Sequence, residues 1–237
     1  MALILNIETA STVCSVSLAK DGDLLTFKEQ NGDYSHSENL TLFIQEICRQ
    51  ADIKLSAIDA IAVSKGPGSY TGLRIGVSTA KGLCYSLNKP LIAINTLEHL
   101  SLSVSKNFKL HPDSYMNSAI PTLYCPMLDA RRMEVYCAVY DSLNKEVIPT
   151  AAEIIDEHSF INLLKENRVV FFGDGSTKCK EILFVNKNAL FIDDVTLSAK
   201  NMILLSENAF INKQFEDVAY FEPFYLKDFM VGKSNKQ

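Results

Sequence analysis

Apolar positions along this chain fall into two series of elements. The runs Leu3 to Glu8, Cys14 to Lys20 and Leu24 to Gln30 are continuous or alternating in apolar residues, which predicts three strands. Asp21-Gly22, between the second and third, is a two-residue hairpin signal because both residues tolerate a left-handed φ. Leu40, Phe43, Ile44, Ile47, Cys48 and Ala51 then recur at helical spacing behind Ser35 and Glu38, a capping-box pair, so residues 35–51 are predicted to be a helix. A strand over Ala60 to Ser64, a helix from Tyr70 to Leu87, a strand from Pro90 to Ile94 and a short helix from Thr96 complete the first series. A polar connector, Ser105 to Ile120, carries His111-Pro112-Asp113 and leads into the second series. Strands are predicted there at Thr122 to Leu128, Val135 to Tyr140, Lys145 to Ile148 and Val169 to Phe172, with helices at Ser159 to Glu166 and Ser198 to Ile211. In the last helix Met202, Leu205, Ala209 and Phe210 share a face, and the terminus Lys233 to Gln237 is polar. Antiparallel strands followed by alternating helix and strand predict an α/β protein with a mixed sheet in each half, divided as 1–104 and 105–237.

Composition narrows the function classes. With 237 residues, 47% of them hydrophobic, the chain can bury a substantial core in one large domain or two small ones. The start, MALILNIETA, lacks a basic leader and its apolar run is too short for a signal peptide or membrane span, so it is expected to be a strand and the protein cytoplasmic. Six cysteines stand singly in apolar segments, the pattern of reduced core thiols. His36, His99, His111 and His158 are isolated and form no HxxxH or HExxH pair, which argues against a transition-metal site. A net charge of −5 argues against autonomous nucleic-acid binding, so any RNA is expected to be held by a partner.

The segment Lys65 to Gly76, KGPGSYTGLRIG, joins a strand to a helix. Gly66 and Gly68 around Pro67 permit a sharp turn that presents amides at the helix start, either to hold an anion or simply to reverse the chain. Neither the Gly-Lys-Ser/Thr of a P-loop nor GxGxxG is present, and Ser69 sits in GPGSY with no base to pair with. Gly72, Gly76 and Ala80 recur every fourth residue and leave one helical stripe nearly bare, against which a partner or an intramolecular neighbour can pack closely, while Leu73, Val77, Leu83, Cys84 and Leu87 supply a core face. Three further turns carry candidate chemistry. Glu8-Thr9-Ala10-Ser11 closes the first strand and offers either a phosphate contact or a side-chain-stabilised turn. Asp129-Ala130-Arg131-Arg132-Met133-Glu134 is either a binding cluster or a hairpin with internal salt bridges, and Gly173-Asp174-Gly175-Ser176 is either a nucleotide-approaching turn or a plain strand-ending one.

LNIETAS near the start, GPGSYTGLRIG, DARRMEVY, GDGS and EPFYLKDF, in this order and spacing from Ala2 to Phe229, resemble the TsaB (YeaZ) family of tRNA threonylcarbamoyladenosine biosynthesis. The resemblance implies an actin-like, Hsp70-like (ASKHA) fold of two related subdomains, the last helix packing back on the first. It also implies a non-catalytic subunit, similar to a paralogue of the catalytic subunit TsaD, that pairs with TsaD through the two helices of its first subdomain. The ATPase TsaE joins that assembly, which transfers a threonylcarbamoyl group to an adenosine of tRNA, and the metal-binding histidine pair of the catalytic paralogue has no counterpart here. The interface expected on this basis comprises Leu40, Phe43, Ile44, Ile47, Tyr70, Gly72, Leu73, Gly76 and Ala80, with homodimers using the same surface. Gly76→Leu is accordingly expected to abolish pairing and leave the monomer folded. Glu8, Thr9, Gly66, Gly68, Ser69, Asp129, Arg131, Gly173 and Gly175 are expected to be vestiges of phosphate loops, because Glu8-Thr9-Ala10-Ser11 departs from the Asp-containing, glycine-bearing first loop of actin-like kinases. No cofactor of its own is implied; ATP enters through the complex. The alternative is a small kinase or ATPase of this fold with Glu8 and Asp129 near a metal, and a glycoprotease-like peptidase lacks both a nucleophile-base pair and a metal motif.

Overall fold

The computed structural model describes residues 2–32, 35–110 and 120–227. Strands β1 (Leu3–Glu8), β2 (Val13–Lys20) and β3 (Asp23–Asn31) form an antiparallel meander. Its second turn is made by Asp21 (φ +55°) and Gly22 (φ +81°), the two left-handed residues whose twist matches that of the strands. β4 (Ala60–Gly66) joins β1 in parallel and β5 (Leu91–Asn95) joins β4 in parallel, giving the order β3-β2-β1-β4-β5. Every residue of β1 is buried, as expected for a strand covered on both faces, whereas the edge strand β3 is largely exposed. Helices α1 (Ser35–Gln50) and α2 (Tyr70–Leu87) cover one face. Leu40, Phe43, Ile44 and Ile47 of α1 pack with Leu5, Ile7, Val16 and Leu18, each fully buried side chain contributing about 1.5–3 kcal/mol. Asn88, at φ +53°, ends α2 in a left-handed cap.

The second half repeats this plan. β6 (Thr122–Asp129), β7 (Glu134–Tyr140) and β8 (Glu146–Ile154) form the meander, β9 (Arg168–Phe172) and β10 (Ala189–Ile192) add in parallel, and the order is β10-β9-β6-β7-β8. Helix α4 (Ile161–Glu166) precedes β9 and α5 (Ser176–Leu183) follows it. The halves exchange their last helices. Leu97, Leu100 and Val104 of α3 (Thr96–Leu110) pack with Tyr124, Leu128 and Phe172 of the second sheet, while Met202 and Ala209, from a 3-10 turn (Ala199–Met202) and α6 (Ile203–Ile211), pack with Ile4, Ala62 and Ile92 of the first.

Several expectations change. The connector begins only after Leu110, because Val104 is core and prolongs α3; a boundary at residue 104 therefore falls inside this helix. β8 extends to Ile154 by pairing Ala151, Ala152, Glu153 and Ile154 with β7, and α5 and β10 were missed because short, mixed-polarity segments carry little periodicity. The predicted helix from Ser159 starts at Ile161, and the one from Ser198 opens as a 3-10 turn capped by the Ser198 side chain. His111-Pro112-Asp113, Asp228-Phe229, the terminus Lys233 to Gln237 and the side chain of Ser35, on which the capping box depends, lie outside the described residues.

Beyond α6 the chain runs as a strap across both halves. Glu216 N donates to Leu91 O (2.9 Å), Lys81 Nζ to Ala219 O and Phe221 O (3.2 and 2.9 Å), and Phe224 N to Lys65 O (2.7 Å). At its far end Lys227 pairs with Glu134 of the second half.

Candidate functional site

The glycine-rich segment turns inward. Ser69 N donates to Ala10 O (2.7 Å), Gly72 N to Ser69 Oγ (3.3 Å) and Leu73 N to Ser69 O (2.8 Å), so these amides at the start of α2 are already engaged. A Cβ at Gly68 would overlap Ala10 O, one at Gly72 would overlap Thr9 O, and one at Gly76 would overlap Thr9 Oγ1. Thr9 Oγ1 donates to Gly72 O (2.8 Å), locking the first turn to the helix. On the other side Gly66, at φ +111°, leaves a Cβ only 2.7 Å from Phe224 O of the strap. The glycines therefore admit the chain's own backbone, as a tight turn requires.

Glu8 and His99 are both fully buried. Glu8 Oε2 lies 2.6 Å from His99 Nε2, and its Oε1 accepts from Ala10 N (2.6 Å) and Ser64 Oγ (2.9 Å). One carboxylate thus ties together the ends of β1 and β4 and the first turn of α3, and its oxygens are occupied by protein donors. His36 Nε2 lies 2.7 Å from Ser11 O. Burial, with the Glu8 charge adding to it, pushes the Cys14 thiol up to about 11, and burial alone pushes Cys84 up to about 12. All six cysteines are free and buried, and among the described residues no three His, Cys, Asp or Glu side chains gather into a metal-holding group.

The turns of the second half also close on themselves. Gly173, at φ +97°, would overlap Met127 O with a Cβ, and Gly175 would place one 2.7 Å from Leu128 C. Asp129 N donates to Asp174 Oδ1 (2.9 Å) and Arg131 N to Asp129 Oδ1 (3.1 Å). The ion pairs of this hairpin are external rather than internal: Asp129 pairs with Lys178 of α5, and Glu134 with Lys227 of the strap.

On α1 and α2 the structure separates two faces. Leu40, Phe43, Ile44, Ile47, Leu73 and Ala80 are buried, and Gly72 and Gly76 pack on Thr9, so the bare stripe has an intramolecular neighbour. Gly76→Leu would consequently disrupt the monomer, contrary to expectation, since Thr9 occupies the space the side chain needs. The outward face carries Leu42 (58% exposed), Gln45 and Arg49 on α1, and Arg74, Ser78, Gly82 and Tyr85 (87% exposed) on α2. A Cβ at Gly82 would meet nothing within 4 Å. Tyr70 is retained at the edge of this face: its ring lies 5.0 Å from that of Tyr225, with the Arg74 guanidinium 5.4 Å above it. A second small-residue series, Ser78, Gly82 and Ser86, has the same fourfold spacing as the first, so spacing alone does not tell which of the two is filled by the chain itself.

A family model described as TsaD, tRNA N6-adenosine threonylcarbamoyltransferase, matches residues 32–231. The tRNA threonylcarbamoyladenosine biosynthesis protein TsaB of Bacillus subtilis is 30% identical, over 94% of this chain and 93% of its own length. The chain belongs to the TsaB family. The TsaB protein of Haemophilus influenzae is 27% identical over 97% of this chain and 95% of its own. A stretch of 29% of the chain is 44% identical to the tRNA N6-adenosine threonylcarbamoyltransferase of Geotalea daltonii, of which it covers 20%. In structure, a Pseudomonas aeruginosa protein described as similar to peptidase YeaZ superposes with a TM-score of 0.78 at 22% identity, over 96% of this chain and 100% of that one, so this TsaB-family chain shares the YeaZ fold.

Proposed function

We propose that this TsaB-family chain is the non-catalytic partner of a TsaD-type transferase in threonylcarbamoyl transfer to an adenosine of tRNA. The observation that supports this most directly is the contrast within α2. Its inner glycines are filled by Thr9, whereas Gly82, about 1 kcal/mol less favourable than alanine in an exposed helix, gains nothing inside the monomer and leaves room for another backbone. Leu42, Ser78, Gly82, Tyr85 and Arg74 are the contact face, with Tyr70 and Tyr225 at its rim. In the absence of the transferase the same face pairs two copies of this chain.

The enclosed glycine turns and the fully engaged Glu8 carboxylate support a protein that contributes no phosphate site or catalytic group of its own. ATP belongs to the transferase and to a TsaE-type ATPase that joins them. In this reading tRNA is held by the transferase and the assembly works in the cytoplasm; the net charge of −5, unfavourable to autonomous nucleic-acid binding, supports the first part. Among the described residues no helix is long and apolar enough to cross a membrane.

Association with the organism's TsaD-type protein, followed by light scattering after size exclusion, tests the proposal. A one-to-one complex that is lost with Gly82→Leu, at a melting temperature equal to or slightly above that of the parent chain, is expected. Unaltered affinity of that variant removes the face from the proposal, and ATP turnover by the isolated chain overturns the non-catalytic role.

A further inference from the structure

The strap is latched to α2 at one point. Lys81, half-buried on that helix, donates from Nζ to Ala219 O and Phe221 O (3.2 and 2.9 Å), so its charge is spent on two main-chain carbonyls. The same stretch of strap closes on itself: Asp217 Oδ1 accepts from Ala219 N and Tyr220 N (2.8 and 3.2 Å), and Phe221 N donates to Asp217 O (2.8 Å). Val218 and Phe221 pack against the first core and fix the turn from below. Tyr220, between them, is left outside at 85% exposure. Tyr85, comparably exposed, stands one helical turn beyond Lys81 on the same side of α2. Single exposed apolar residues are ordinary at a protein surface, but two large ones that flank one lysine make a patch.

We infer that Tyr220 is a contact residue for the TsaD-type transferase and that Lys81 is the positioning residue that presents it, an inference that rests on the pairing proposed above. Continuity decides the occupant. Tyr220 is carried by the turn that Lys81 holds, and Lys81 lies one residue from Gly82 and one helical turn from Tyr85, so a partner seated on the outward side of α2 meets the strap at its edge. The chemistry suits an anchor: a tyrosine ring buries a large apolar area, fixes few rotamers and keeps a hydroxyl for a polar rim. Because Lys81 and Asp217 order the main chain around Tyr220 beforehand, association does not bear that entropy.

The test uses the full chain and the organism's TsaD-type protein, with Kd measured by titration calorimetry and the melting temperature recorded for each variant. Tyr220→Ala is expected to weaken binding about 10-fold or more at an unchanged melting temperature, since the exposed ring supports little in the monomer. Lys81→Met, which keeps an unbranched stem and removes both hydrogen bonds, is expected to weaken it by a similar factor. The double variant is expected to bind within about 2-fold of Tyr220→Ala alone, because the lysine acts through the tyrosine. Full affinity of Tyr220→Ala, while Gly82→Leu still abolishes the complex, overturns the inference and leaves the pairing standing. Losses that multiply in the double variant overturn the role given to Lys81. Absence of any complex with the parent chain overturns the pairing and this inference with it. A dimer of the chain alone that Tyr220→Ala dissociates, at unchanged affinity for the transferase, overturns it in favour of a second copy as occupant.

Discussion

The two halves share a strand order and differ in how the first strand of each ends. β1 ends in Glu8, fully buried and bound by His99, Ser64 and Ala10; β6 ends in Asp129, whose side chain is 52% exposed and meets Lys178 at the surface. The difference follows from what covers each end. α3 lies over the first turn and brings His99 to it, whereas the hairpin after β6 stands open to solvent. A carboxylate at the same place in the plan is therefore a structural pin in one half and a surface charge in the other. The helices differ as well, with 16 residues in α1 and 6 in α4.

Substitution at these paired places measures the contrast. Glu8→Ala leaves a buried imidazole, a hydroxyl and an amide without their acceptor and should cost about 3–5 kcal/mol in denaturant unfolding. Asp129→Ala should cost roughly 0–1 kcal/mol, as surface ion pairs do. Equal losses would erase the distinction between pin and surface charge. Gly76→Leu should destabilise by ~3 kcal/mol or more through overlap with Thr9, while Gly82→Leu, six residues further along the same helix, should shift stability by less than about 1 kcal/mol. A smaller effect is chemical. Because burial holds the Cys14 and Cys84 thiols at about 11 and about 12, neither yields appreciable thiolate at pH 8. A disulfide reagent should leave both unmodified in the native protein and react once denaturant opens the first half; rapid native reaction at Cys84 would show that α2 lifts from its sheet.

Much of the first half was legible because its signals are local. The continuous or alternating apolar runs of β1 to β3, the Asp21-Gly22 turn and the span of α2 depend on residues within a few positions of one another. The second half was less legible. Ser176–Leu183 alternates polar and apolar residues without a clean period, and β10 has only four residues. At the site, the glycine turns were visible as turns, but their occupants were not: Ala10 and Phe224 are distant in sequence from the glycines they fill.

The sequence by itself determined the elements, the mixed α/β class, the duplicated plan and the family, because alternation, helical spacing and ordered motifs are properties of neighbouring residues. Only the tertiary structure decided which side of α2 is spent and which is free. Gly72 and Gly76 differ from Gly82 in having Thr9 across from them, a contact that no spacing encodes. It also decided that Glu8 meets His99, 91 positions away, and so became a buried tie between β1 and α3. Burial gave each residue its role, and burial is set by the elements that fold over it.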